Sequence, residues 1–234
     1  MAAANTDRKG AIGATLHIGR LLLRLSFPLG ALNLLWAFPK LAFAGEPTAT
    51  VLVYNHAHVA HSILAAAERE AGKILDAAGV RIIWVECPMA STPDSAARPC
   101  LGTLKSTDIM LRVLPQPAKH RLKADVFGFA ISPILASVYY DYALRLAVED
   151  EYGDFHARVI LGCIIAHELG HLLLGSNSHS SAGVMRSPWG QKQLRQALMG
   201  TLLFTSDESK VMQAQVRART RPQRTGRFRR SPPD

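Results

Sequence analysis

The strongest constraint on this chain is the stretch from Phe155 to Leu174, which is apolar over most of its length and carries helix signals at both ends. Asp154 stands where an N-cap side chain accepts free backbone N–H groups, and Gly175 supplies a stop, so the segment predicts one long helix. The segments before it read as a βαβ unit. Thr48–Tyr54 is rich in β-branched residues and predicts a strand. From His58 to Ala78, Ile63, Leu64, Ala67, Ala71, Ile74 and Leu75 recur at three-and-four spacing, which predicts an amphipathic helix ended by Gly79. Val80–Glu86 predicts a second strand parallel to the first.

Asp108–Leu114 and Val126–Ile131 predict a third and a fourth strand, and Ala136–Asp141 a fifth, placed at an edge. Gly190–Met199 and Ser206–Val216 predict shorter helices, the second opened by Thr205-Ser-Asp-Glu208 at capping-box spacing. Residues 45–216 contain no internal repeat. The expected class is α+β: a twisted mixed sheet with a backing helix, a long helix carrying the site, and C-terminal helices.

With 234 residues, 48% of them hydrophobic and 19% charged, the chain has room for one domain with tails and is too apolar to be wholly disordered. No uninterrupted apolar run reaches the 18 or so residues of a spanning helix, which argues against a multi-pass membrane protein. The formal net charge is +9, but it is concentrated at the ends: five basic residues against one acidic in 1–44, and seven arginines against one aspartate in 217–234. A nucleic-acid-binding face would put that excess on the folded body, so nucleic acid is not an expected partner. Residues 1–44 join a basic lead, the apolar run Phe27–Phe38 and Ala42-Phe43-Ala44, the build of an export signal that would leave a mature chain from Gly45. The expected location is therefore outside the cytoplasm (secreted, periplasmic or cell-surface), with an uncleaved N-terminal membrane anchor as the alternative. The arginine-rich 217–234 has too little apolar surface to offset its ordering entropy and reads as a disordered tail whose candidate contact is an anionic surface. Cys87 and Cys100 bracket a loop that a disulfide would close in an oxidising compartment, and Cys163 is left over as a small buried residue.

The chemistry lies in His167-Glu-Leu-Gly-His171. On a helix, residues four apart stand one above the other, so both imidazoles can enter a single tetrahedral metal shell. Glu168 points to the side, where it can take a proton from water held on the metal. A catalytic site of this type needs a third ligand. His179, reached after the break at Gly175, is the first candidate; Glu208 is the main competitor, and Asp207 and Asp141 are weaker ones. Elsewhere, His56, His58 and His61 form a second cluster, and the Cys163 thiol stands one turn before His167.

Together His167-Glu168-Leu169-Gly170-His171, the helix-ending Gly175, His179 in a His-Ser context and Met185 resemble the metzincin zinc metallopeptidases, whose pattern is HExxHxxGxxH followed by a turn containing Met. The match in detail covers about residues 163–186. The steps from His171 to Gly175 and His179 are four and eight residues here, three and six in the pattern. The resemblance implies a zincin-like fold over 45–216 and a Zn²⁺ ion held by His167, His171 and His179. It further implies Glu168 as general base, Met185 beneath the metal, and a peptide or protein as substrate. Tyr139, Tyr140 and Tyr142 are candidates to stabilise the developing oxyanion, and an extended substrate would pair with the strand Ala136–Asp141 if that strand lies at the edge. The altered spacing motivates an alternative: a zinc-binding protein without turnover, acting through a partner or an anionic surface.

Overall fold

β-Branched and aliphatic residues alternate along β1 (Thr48–Asn55), β3 (Asp108–Leu114) and β5 (Leu135–Tyr139). Their registers bring Val51 beside Ile109, Val53 beside Leu111, and Val113 beside Val138, all fully buried on one face of the sheet. This computed structural model describes residues 45–88, 98–116, 126–131, 133–148, 153–176 and 179–220. Residues 1–44, where an export signal is expected, and the stretch 221–234 lie outside the described residues.

The sheet has five strands in the order β2-β1-β3-β5-β4, with β2 at Arg81–Cys87 and β4 at Gly128–Ile131. The β2-β1, β1-β3 and β3-β5 pairs are parallel, and β4 alone runs antiparallel, against β5. The fold is α+β. The expected edge position of the fifth strand is corrected: β5 is interior and β4 is the edge. A tight turn at 133–134 folds the chain back so that β4 covers the flank of β5. Tyr140 and Asp141, expected in the strand, open a helix instead, α3 (Tyr140–Val148), whose Tyr142, Ala143 and Ala147 are buried.

The helix α1 (His61–Ala77) starts three residues later than its periodicity predicts. The Asn55 side chain accepts from Val59 N–H at 3.0 Å and donates to the Val59 carbonyl at 2.8 Å, and His58 sits at φ +52°, so the chain turns before it can wind. A four-residue α2 (Arg98–Leu101) follows β2 and carries Cys100, which is disulfide-bonded to Cys87.

The long apolar segment is α4 (Gly153–Leu174). By length and composition His156–Leu174 would suit a membrane, but 83% of it is buried inside the domain, where α1, α3, α5 (Gln191–Leu198), α6 (Ser206–Thr220), β4 and β5 all pack on it. A helix apolar on every side belongs in such a position. The last helix runs past the expected boundary at 216: Arg217–Thr220 form its final turn, where Arg219 donates from Nη2 to the Leu172 carbonyl of α4 at 2.7 Å and Ser106 Oγ donates to the Arg219 carbonyl at 2.6 Å.

Candidate metal centre

α4 carries His167, Glu168 and His171 on its C-terminal half, with exposures of 1%, 3% and 6%. The His167 Nδ1 lies 2.7 Å from the Val184 carbonyl and the His171 Nδ1 3.0 Å from the Ser176 carbonyl. A carbonyl only accepts, so both Nδ1 atoms carry the proton and donate it. The Nε2 lone pairs are then turned toward each other, 3.2 Å apart. Two facing lone pairs repel, and a cation between them removes the repulsion. For a tetrahedral shell with metal–nitrogen distances near 2.0–2.1 Å, donors sit about 3.3 Å apart, close to the separation seen here.

The end of α4 prepares the third imidazole. Gly175 adopts φ +67°, open to glycine without strain, and Ser176 N–H bonds back to the His171 carbonyl at 3.2 Å, the closing bond of a Schellman cap. The ring centroid of His179 lies 5.3 Å from that of His167 and 5.1 Å from that of His171. One ligand atom from each of the three histidines lies within 4.8 Å of the others, and among the described residues this is the one His/Cys/Asp/Glu group of three that close. His179 is exposed, unlike its two partners. The longer spacing from His171 to His179 does not keep the rings apart.

Burial sets the protonation states. It is the main cause that pulls His167 down to about 3, against the Val184 carbonyl bond that raises it, and it likewise lowers His171. Both rings are neutral near pH 7, the form that can ligate a metal. Burial pushes the Glu168 carboxyl up to about 8. The group therefore sits near the point where it exchanges a proton at ordinary pH.

A cleft of about 240 Å³ opens over these groups, lined by Val126 to Ala130, His167, Glu168, His171, His179 and Ser187. Its apolar wall is the edge strand β4 and the two residues before it. Phe127 stands edge-on to His167 at 5.1 Å and packs on Trp189 at 4.5 Å. Beneath α4, Met185 is fully buried, and a Cβ added at Gly170 would lie 2.5 Å from its sulfur and 2.7 Å from Phe204 Cε1. The sulfur thus lies under the helix one residue from His171.

No family model matches this chain, and no curated protein does. In fold it is similar to solved structures, among them these two. One is a zinc-dependent peptidase from Methanocorpusculum labreanum, at 16% identity and a TM-score of 0.49, covering 69% of this chain and 99% of that one. The other is an archaemetzincin from Methanopyrus kandleri, at 17% identity and a TM-score of 0.47, covering 75% and 99%.

Several sequence candidates fall elsewhere. Glu208, the rival third ligand, is outside the histidine group; its Oε2 accepts from Thr205 N–H at 2.8 Å and its Oε1 from the Ser180 hydroxyl, so both oxygens are engaged. Asp207 pairs with Lys210 on the surface, and Asp141 lies in the first turn of α3. Tyr139, Tyr140 and Tyr142 are not among the cleft-lining residues: Tyr139 and Tyr142 are buried in the core, Tyr142 with its ring 5.3 Å from Phe127. His56, His58 and His61 do not come together as a metal-holding group among the described residues, and His61 pairs with Glu86 at 3.2 Å. Cys163 is buried, its thiol pushed up by burial, and is not part of the histidine group. Sequence reasoning missed Phe127, Trp189 and the Val184 carbonyl. Their aromatic and turn signals are common to any core, and only packing brings them to His167.

Proposed function

We propose that this protein is a zinc-dependent peptidase, with His167, His171 and His179 holding the metal and Glu168 as general base. The observation that carries this reading is the convergence of three imidazoles beside a buried carboxylate, on the floor of a cleft walled by an edge strand. An all-nitrogen set of three histidines suits zinc, which when bound supplies Lewis acidity toward a carbonyl oxygen and lowers the pKa of bound water. The protein's residues do the rest. Val184 and Ser176 hold His167 and His171 in the tautomer that offers Nε2. Burial raises the Glu168 pKa and a cation held by the three histidines would lower it, which would suit the carboxylate to accept a proton from water and return it to the leaving amine nitrogen. Met185 supports the helix from below.

The substrate pairing moves from the fifth strand to β4. As the terminal strand, β4 presents its outer N–H and C=O groups beside the cleft, where an extended peptide can add a further strand. The Cys87–Cys100 bridge supports an oxidising compartment and hence the export reading.

The test is the full chain with Glu168→Gln. Metal analysis is expected to find zinc retained, while turnover of a broad quenched-peptide library falls at least about 100-fold. Unchanged turnover by that variant refutes the assignment, and stoichiometric zinc without wild-type turnover would favour the non-hydrolytic alternative.

A further inference from the structure

We propose that Glu208 is a positioning residue for His179, acting through Ser180; this rests on the metal reading above. The two buried imidazoles each have a carbonyl that orients the ring. His179 is exposed, and among the described residues no ring hydrogen bond orients it, so its place depends on how the neighbouring backbone is held. Ser180, the next residue, is held from two sides: its N–H donates to the Met185 carbonyl at 3.0 Å within a β-bridge to Arg186, and its hydroxyl donates to Glu208 Oε1.

Glu208 is itself fixed. Its Oε2 accepts from Thr205 N–H at 2.8 Å while its own N–H donates to Thr205 Oγ1 at 3.3 Å, which closes the capping box of α6. One carboxylate therefore has two tasks: one oxygen seals the helix start, and the other reaches 28 residues back to the His179 loop. A carboxylate at a helix N-terminus is favourably placed against the free N–H groups there, and its second oxygen is left to accept from Ser180. At its far end α6 is tied to α4 by Arg219 on the Leu172 carbonyl, beside His171. The helix acts as a strut between the element that carries His171 and the loop that carries His179. Outer partners of metal ligands are worth roughly 10- to 100-fold in metal affinity, and Ser180–Glu208 is placed to supply such a share.

The experiment is zinc competition against a chromophoric chelator on the full chain, paired with thermal unfolding of each metal-free variant. Ser180→Ala, which leaves the capping box intact, is expected to weaken zinc at least about 10-fold with little change in Tm, and Ser180→Thr to restore it. Glu208→Gln should weaken zinc as well. Thr205→Ala removes the cap hydroxyl but not the Ser180 contact; it should lower Tm by about 2–4 °C with zinc affinity kept. Ser180→Ala and Glu208→Gln that bind zinc like wild type overturn the proposal while the metal reading stands. A wild-type chain that takes up no zinc, or a His179→Ala variant that binds as tightly as wild type, overturns the three-histidine reading and the proposal with it.

Discussion

His167 and Trp189 donate to the same acceptor: the Val184 carbonyl takes the His167 Nδ1 proton at 2.7 Å and the Trp189 Nε1 proton at 3.3 Å. The imidazole is thereby held by a carbonyl that the indole also anchors, and the indole ring packs 6.0 Å from His167 with Phe127 against both rings. Trp189→Phe removes the indole N–H and shrinks the bicyclic ring to a phenyl, so it should cost about 1–3 kcal/mol by denaturant unfolding. Trp189→Ala also removes the packing; a loss of about 3–5 kcal/mol and zinc affinity weakened roughly tenfold are expected.

Gly170 sits where α4 crosses Met185 and Phe204, with no room for a side chain. Gly170→Ala should destabilise by about 1–3 kcal/mol through overpacking. Adding Met185→Ala in the same chain removes the nearer of the two clashes and gives Phe204 room to shift from the other. The double variant should therefore be more stable than the sum of the single losses, a coupling that a double-mutant cycle measures.

Glu68 is buried on α1 with Oε1 lacking a hydrogen-bond partner, and its pKa is raised to about 7, chiefly by burial and further by Glu86, against the lowering pull of His61 and Arg69. Its folded pKa lies above the unfolded value of about 4.5, so the folded state holds more protons between those two pH values. Stability from this group is present below about pH 4.5 and lost as pH rises to about 7. Glu68→Gln should thus match wild type at pH 4.5 and exceed it by roughly 2–3 kcal/mol at pH 8. A difference in unfolding free energy that does not grow with pH would show that Glu68 is not titrating in this way.

The Cys87–Cys100 bridge closes a short loop, with a sequence separation of 13, at the β2 edge of the sheet. Replacing both cysteines with serine should cost about 3 kcal/mol. Zinc affinity should not change, because β4 and the cleft lie at the opposite edge, four strand spacings or roughly 19 Å away.

Local patterns were legible from residue types alone. The period of α1, the parallel βαβ unit, the span of α4 and the Thr205–Glu208 cap each depend on neighbours within a few positions, and each stands in the structure within a few residues of its expected bounds. The α3 helix was missed because its first residues, Tyr140 and Asp141, continue a β-rich run. In the structure they open a helix that packs on α4.

The sequence by itself determined that His167 and His171 share one face of a helix, because a four-residue step on a 3.6-residue turn leaves no other arrangement. It also determined that this helix is apolar enough to need burial. Only the tertiary structure decided which strand lies at the edge, how close His179 comes to the pair, and that Glu208 reaches Ser180 rather than the histidines. Strand order and loop return depend on contacts between residues far apart in sequence, and those contacts are chosen by the whole core packing at once.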